Sequence, residues 1–208
     1  FLGDCAVRHM GAFLQKLETR LYPALAAKRT GMPVVPEGAR TSTININSIH
    51  GGLEEDREGL PAPLVPDSCR LVLDRRYLIE EDPAEVKREI VSLLEDLRQE
   101  RTGFDYDLRE VLAFQPTMTD PGAPVVRAVS AAIEEVLGKP AEQVVSPGTY
   151  DQKHIVRVGQ LEDCIAYGPG ILDLAHQPDE YVGIDDMVAS AKVMAAATLA
   201  LLGEARPR

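Results

Sequence analysis

The chain has 208 residues, of which 45% are hydrophobic and 26% are charged. This is the composition of an ordinary globular protein, long enough to bury a core without covalent or metal staples. Its formal net charge of −11 disfavours nucleic acid and anionic membranes as partners, because both repel an acidic surface. The widely spaced Cys5, Cys69 and Cys164 form no CxxC pair, which favours a reducing compartment over a disulfide framework. We therefore expect a cytoplasmic protein with neither nucleic acid nor membrane among its partners.

The first part of the chain predicts helix, strand, strand, helix and strand in that order. Apolar residues at three- and four-residue spacing predict an amphipathic helix over residues 6–21. Alternating apolar and polar residues predict three strands, at residues 43–47, 69–74 and 104–108. Asp82 is a good N-cap and Pro83 suits the first helical position, so a second helix is predicted to start there and to end before Gly103.

This order of elements is that of a ferredoxin-like domain without its opening strand. The chain also begins at Phe1 rather than at a methionine. Both observations predict that the sequence is a fragment. We expect residues 1–114 to form a ferredoxin-like domain that lacks its first strand.

The pattern changes after residue 114, where three prolines mark a linker. Helices and short hydrophobic segments are predicted in alternation, at residues 125–137, 143–145, 164–167 and 184–202. We interpret residues 115–208 as a layer of α/β structure. The apolar stretch 194–202 is interpreted as a buried helix, because no apolar run approaches the length of a bilayer span.

The strongest local signal for chemistry lies in residues 168–182. A predicted strand leads into a Gly-Pro-Gly turn, and His176 follows, with Asp179 and Glu180 three and four residues later. Ligands of open α/β sheets sit beyond the carboxyl ends of the strands, so His176 is a candidate metal ligand. Alternatively, the histidine and the two acids only cap the last helix, and their spacing leaves both interpretations open.

Two weaker signals indicate carboxylate binding. Gly148 and Thr149 precede a predicted helix, where backbone N–H groups and a hydroxyl can hold a carboxylate, although an ordinary N-cap is the simpler interpretation. Arg76 ends the second predicted strand, and its guanidinium suits a carboxylate, although most such arginines are only solvated or ion-paired. His50, where the first predicted strand runs into a Gly-Gly turn, is a candidate catalytic residue, although a histidine in a loop is more often simply exposed. His9 is interpreted as exposed because it lies on the polar face of the first helix.

Sequence motifs support a more specific interpretation. The segments that carry them are residues 3–7, 43–52, 65–67, 73–76, 148–151 and 168–180. Among them, Gly-Thr-Tyr-Asp at 148–151 and Ala-His-Gln-Pro-Asp-Glu at 175–180 are the most characteristic. In this order and spacing they resemble the zinc amidohydrolase and peptidase family of acetylornithine deacetylase, succinyl-diaminopimelate desuccinylase, aminoacylase and carboxypeptidase G.

The resemblance implies an α/β zinc-peptidase-like catalytic domain interrupted by a ferredoxin-like lid that dimerises. Residues 1–114 would be the lid without its first strand, and residues 115–208 the C-terminal half of the catalytic domain. The resemblance makes His176 a metal ligand, and it places three residues at the substrate carboxylate: Arg76, Gly148 and Thr149. The other ligands and the general base of the family lie upstream of the lid, so no catalytic residue is assigned in this segment.

The resemblance also implies an activity, namely metal-dependent hydrolysis of the amide bond of N-acyl amino acids or short peptides. One or two Zn²⁺ ions per complete subunit would serve it, with Co²⁺ or Mn²⁺ as alternatives, in a homodimer formed through the lid. Activity would require the missing N-terminal segment, because a single imidazole does not retain zinc tightly. The alternative function is a non-catalytic dimerisation module formed by the chain as given.

Overall fold

A computed structural model describes residues 3–52, 64–146, 148 and 150–204. The chain divides into two compact units, the first comprising Phe1–Thr30 and Thr41–Ala113, the second Gly31–Arg40 and Phe114–Arg208. Each unit has a hydrophobic core of its own. The mixture of helices and strands agrees with the predicted α/β class.

A nearly continuous helical run opens the first unit and confirms the first predicted helix. It consists of α1 (Ala6–Lys16), a π-helical turn (Leu17–Leu21) and α2 (Tyr22–Ala27). The run is longer than predicted because Pro23 falls in the first turn of α2, where a proline costs no helical hydrogen bond. The π-turn places Leu17 and Leu21 in the core, where Leu17 is fully buried.

Two of the three predicted strands are confirmed, and each is longer than predicted. Strand β1 (Thr43–Gly51) pairs antiparallel with β2 (Cys69–Arg76), with an irregularity in the pairing between Ile46 and Ser48. Ile46 lies opposite Leu73, and both pack on the core. Because side chains alternate between the faces of a sheet, the neighbouring pair Asn45 and Asp74 lies on the other face.

The predicted third strand at residues 104–108 is wrong, since the described residues there form no strand. Phe104 and Tyr106 still pack on the core while Asp105 and Asp107 are exposed, so the alternation reports burial on one side. A β-strand also needs a neighbouring strand to which its backbone can form hydrogen bonds, and side-chain alternation does not indicate whether one is present. The segment at 164–167 forms no strand either. The sheet of the first unit has two strands among the described residues, and a ferredoxin-like fold stays a prediction.

Helix α3 (Pro83–Glu100) packs on α1 and confirms the second predicted helix. The side chain of Asp82 accepts a hydrogen bond of 2.9 Å from the backbone N–H of Ala84, as an N-cap does. Leu97, almost fully buried, belongs to the same core cluster as Leu17, and burying one such leucine stabilises the fold by about 1.5–3 kcal/mol.

The second unit contains α4 (Pro124–Leu137), α5 (Gln152–Arg157) and α6 (Ile184–Glu204), with 3₁₀ turns at Glu37–Arg40 and Leu172–Leu174. Helices α4 and α6 pack through Ala132, Val193 and Ala197. The predicted end of α4 is confirmed, because Gly138 closes it in the left-handed conformation, at φ 67°.

The prediction that the apolar C-terminal stretch is a buried helix holds for one face of α6 only. Val193 is fully buried against α4, whereas Ile184, Leu199 and Leu202 are 78%, 71% and 63% exposed. Ile184–Gly203 is also long and apolar enough to cross a membrane, although core helices of soluble proteins meet the same criteria of length and composition. A helix that is apolar on all sides is normally covered on all sides.

Candidate functional site

His176 lies in the loop between the 3₁₀ turn Leu172–Leu174 and α6, as the sequence predicted. Its backbone N–H donates to Oε2 of Glu180 at 3.0 Å, and the residue is exposed. Both His176 and Asp179 adopt left-handed backbone conformations, at φ 63° and 62°. Such conformations are uncommon outside glycine and concentrate at functional sites, so the backbone around the predicted metal ligand His176 is unusual.

A complete metal site is not formed by the part of the chain that the structure describes. Across those residues, no three His, Cys, Asp or Glu side chains come together in a way that could hold a metal ion. Protein-bound zinc takes about four ligands, three of them from the protein in catalytic sites. The Glu180 carboxylate is engaged with the backbone of His176. The described residues therefore do not fit a metal by themselves, and a ligand role for His176 stays a prediction.

Arg76 ends β2 with an exposed side chain. Its Nε and Nη2 atoms both lie 3.3 Å from Oδ2 of Asp74, two residues earlier on the same face of the sheet. The side chains are 56% and 38% exposed, and ion pairs in such surroundings contribute at most about 1 kcal/mol. Exchanging Asp74 for the carboxylate of a ligand would therefore cost little. Arg76 belongs to the first unit, whereas His176 and Gly148 belong to the second.

The adjacent Arg75 is buried and was not singled out by the sequence. Its side chain is 6% exposed, and Nη2 lies 2.7 Å from Oε1 of Glu81 and 3.1 Å from Oε2 of Glu89. Because side chains alternate between the two faces of a strand, the sequence of β2 already indicated that the two adjacent arginines lie on opposite faces. Lys28 completes this cluster with contacts to both carboxylates.

Electrostatics within the cluster favour its charged form. Burial alone would raise the pKa of Glu81, but hydrogen bonds from Lys28, Ser42, the backbone N–H of Leu78 and Arg75 outweigh it and lower the pKa to about 2. Partial burial alone would lower the pKa of Lys28, but its contacts with Glu81 and Glu89 raise it overall. The cluster is thus held as a set of ion pairs at neutral pH.

Gly148 lies beneath the ring of Tyr150. A Cβ atom at position 148 would come within 2.7 Å of Cζ of that ring, so a larger residue there would require the exposed Tyr150 side chain to move. The Gly148 N–H donates to Oγ of Ser146 at 3.2 Å, and Oγ lies 2.9 Å from the Tyr150 hydroxyl. Thr149 lies outside the described residues. Carboxylate binding by Gly148 and Thr149 stays a prediction.

The prediction that His9 is exposed is wrong, because its residue exposure is only 7%. Its Nε2 atom lies 2.6 Å from Oδ1 of Asp4, and Arg101 donates from Nε to Nδ1 at 2.8 Å. The Phe104 ring packs beside the imidazole at 5.4 Å between centroids. Residues that follow α3 thus cover a position on the polar face of α1. The ring is enclosed in the first unit and forms no part of the candidate site.

Comparison with known proteins identifies the family. The family described as "Peptidase family M20/M25/M40" matches residues 11–200, which is most of the chain. The chain therefore belongs to this peptidase family, and the resemblance stated from its motifs is confirmed.

Individual relatives agree with this assignment. Acetylornithine deacetylase of Myxococcus xanthus is 28% identical over 203 residues, which cover 97% of this chain and 48% of that protein. Succinyl-diaminopimelate desuccinylase of Marinobacter nauticus is 31% identical over 129 residues, which cover 62% of this chain and 32% of that protein. The chain thus spans between about a third and a half of the length of these relatives.

A solved structure supports the fold. The M20 family metallo-carboxypeptidase of Sulfolobus solfataricus superposes with a TM-score of 0.57 at 21% identity, over 96% of this chain and 46% of that one. At this level of identity the likeness concerns the fold. The match extends over nearly the whole chain but only about half of the other protein.

Proposed function

We propose that the complete protein carrying this chain hydrolyses the amide bond of N-acyl amino acids or short peptides in the cytoplasm. The observation that carries this proposal is membership of the M20/M25/M40 family, together with relatives named acetylornithine deacetylase and succinyl-diaminopimelate desuccinylase. The exposed guanidinium of Arg76 and the unusual backbone around His176 support it locally.

In this proposal Arg76 binds and orients the free carboxylate of the substrate. A guanidinium offers two parallel N–H donors to a carboxylate, which fixes direction as well as distance. Holding the substrate in one orientation lowers the barrier to reaction by reducing the entropy that must be lost. Gly148 and Thr149 would also take part in binding the substrate carboxylate.

His176 would supply one imidazole to a zinc ion, or to Co²⁺ or Mn²⁺ in its place. The described residues contain no further ligands grouped with it, so we expect a longer protein to supply the remaining ligands from outside those residues. The exposed apolar face of α6 supports the same requirement, since Ile184, Leu199 and Leu202 would be covered by the rest of a longer fold.

A second candidate function follows from the same lack of grouped ligands among the described residues. The chain by itself would then be a non-catalytic module that dimerises through its first unit. Elemental analysis and sizing of the 208-residue chain test this. A dimer without metal supports the module, whereas stoichiometric zinc contradicts it.

The hydrolase proposal is tested in the complete protein with a panel of N-acyl amino acids. His176→Ala should reduce zinc-dependent turnover by more than about a hundredfold, because removing a residue that only orients a metal ligand already costs 10–100-fold. His154→Ala, an exposed histidine of α5, is the matched control and should retain turnover. Unchanged turnover in His176→Ala would rule out the assigned role.

A further inference from the structure

Arg75 makes a contact that links it directly to the proposed substrate-binding residue. Its Nη1 atom donates a hydrogen bond to the backbone carbonyl oxygen of Arg76. Its Nη2 atom is held at the same time by Glu81 and Glu89. One buried guanidinium therefore joins two carboxylates to the main chain of the residue whose own side chain is exposed on the other face.

The carboxylate at the centre of this arrangement is itself held on all sides. Oε2 of Glu81 accepts from the backbone N–H of Leu78 at 2.8 Å and from the hydroxyl of Ser42. Its Oε1 accepts from Lys28, just after α2, at 2.7 Å. Residues that flank α2, β1, β2 and α3 thus meet at Glu81. The main chain on both sides of Arg76 is fixed, by pairing with β1 before it and by the Leu78 contact after it.

Stability alone is a weak reason for a buried arginine at position 75. The residue opposite it in β1 is Ile44, which packs on the apolar core. Burying an ion pair carries a desolvation cost that its attraction often only offsets, so apolar side chains in place of Arg75 and its two carboxylates together would serve the core equally well. What an apolar side chain cannot provide is a directed donor to the carbonyl of Arg76.

We infer that Arg75 is a positioning residue, which together with Glu81 and Glu89 fixes the main chain of Arg76 and so limits the positions from which its guanidinium can reach a substrate carboxylate. This inference rests on the proposed function for the role of Arg76. A binding group whose backbone is already fixed loses less entropy when its ligand binds. We therefore expect Arg75 to increase the affinity for the substrate.

The test uses the complete protein and two substrates, an N-acetyl amino acid and its carboxamide, which lacks the charged carboxylate. Arg75→Met should raise KM for the acid by about tenfold or more with kcat nearly unchanged, and leave KM for the carboxamide unaltered. In an Arg76→Ala background, Arg75→Met should add no further effect on KM. Arg88→Met, which removes an exposed ion pair with Glu85 in α3, is the matched control and should leave both substrates unaffected.

Two results would overturn the inference. One is a rise in KM that is equal for both substrates, and the other is a rise that persists in the Arg76→Ala background, because each indicates a general structural lesion. Hydrogen exchange of peptides covering residues 74–78 provides a readout that needs no turnover. Arg75→Met should accelerate exchange there and leave α1 unchanged, and unchanged exchange at 74–78 overturns the inference as well. If the wild-type protein hydrolyses none of the substrates while exchange responds as expected, the proposed function alone is contradicted.

Discussion

Arg101 donates from Nε to Nδ1 of His9 at 2.8 Å, which joins α1 to the residue that follows α3. The other ring nitrogen lies 2.6 Å from a carboxylate oxygen of Asp4. With Arg101 donating to Nδ1, a neutral ring carries its proton on Nε2 and donates it to Asp4. A largely buried imidazole with both nitrogens satisfied is a cross-link of the fold, and its removal should be costly.

His9→Ala should therefore lower the free energy of unfolding by about 2 kcal/mol or more, because a cavity forms and the Arg101 donor loses its acceptor. Urea denaturation of the chain measures the change. His50→Ala, which removes an exposed histidine of β1, is the control and should stay within about 0.5 kcal/mol of wild type. Equal stability of the two variants would contradict the enclosed position of His9.

Stability should fall as acid protonates Glu81. Its folded-state pKa of about 2 lies below the ordinary value of 4.5, so its contribution is complete above pH 4.5 and is lost as pH falls from 4.5 toward 2. Glu81→Gln should lower the unfolding free energy at pH 7 by about 1–2 kcal/mol, a figure reduced for partial solvent screening, and should flatten the acid limb. Denaturation at several pH values measures this. Glu100→Gln, which removes an exposed carboxylate from its ion pair with Lys16, should leave the dependence of the unfolding free energy on acid pH as in the wild type.

Two glycines of the first unit should respond to alanine in opposite directions. Gly103 has φ 80°, and a Cβ atom there would lie 1.6 Å from Oδ2 of Asp4. Gly103→Ala should therefore destabilise the chain by more than about 1 kcal/mol. Gly11 is inside α1 with nothing within 4 Å of an added Cβ, so Gly11→Ala should stabilise it by about 0.5–1 kcal/mol. Thermal unfolding of both variants measures the direction of each change in stability. If both substitutions changed stability in the same direction, the backbone conformation described at one of the two positions would be contradicted.

Local rules predicted the helices well, because their signals lie within a few residues. Asp82 caps α3 and Gly138 ends α4 as their sequence positions indicate. The other predictions were limited because they depended on contacts with residues distant in the sequence. The alternation at Phe104 and Tyr106 was compatible with a strand, but it records contact with the core on one side. The exposure assigned to His9 failed for the same reason, since Arg101 and Phe104 cover it from a distant part of the sequence.

The candidate site was predictable to a similar extent. The loop position of His176 followed from the glycines before it and the helix after it. That one of two adjacent arginines faces the core follows from the period of a strand, and the choice of Arg75 required the register. The carboxylates that hold Arg75 lie 6 and 14 residues away in sequence and meet it only in the folded unit.

The outer face of α6 gives a prediction that separates the isolated chain from a longer fold. Leu199→Gln combined with Leu202→Gln changes two exposed leucines, so unfolding of the 208-residue chain should change by less than about 0.5 kcal/mol. In the complete protein the same change should cost about 1.5–3 kcal/mol per leucine if that face is covered there. Val193→Ala, fully buried against α4, should destabilise both forms. If both forms tolerate the double variant equally, this face stays open to solvent. If instead the wild-type chain binds lipid vesicles and the double variant does not, a membrane covers this face.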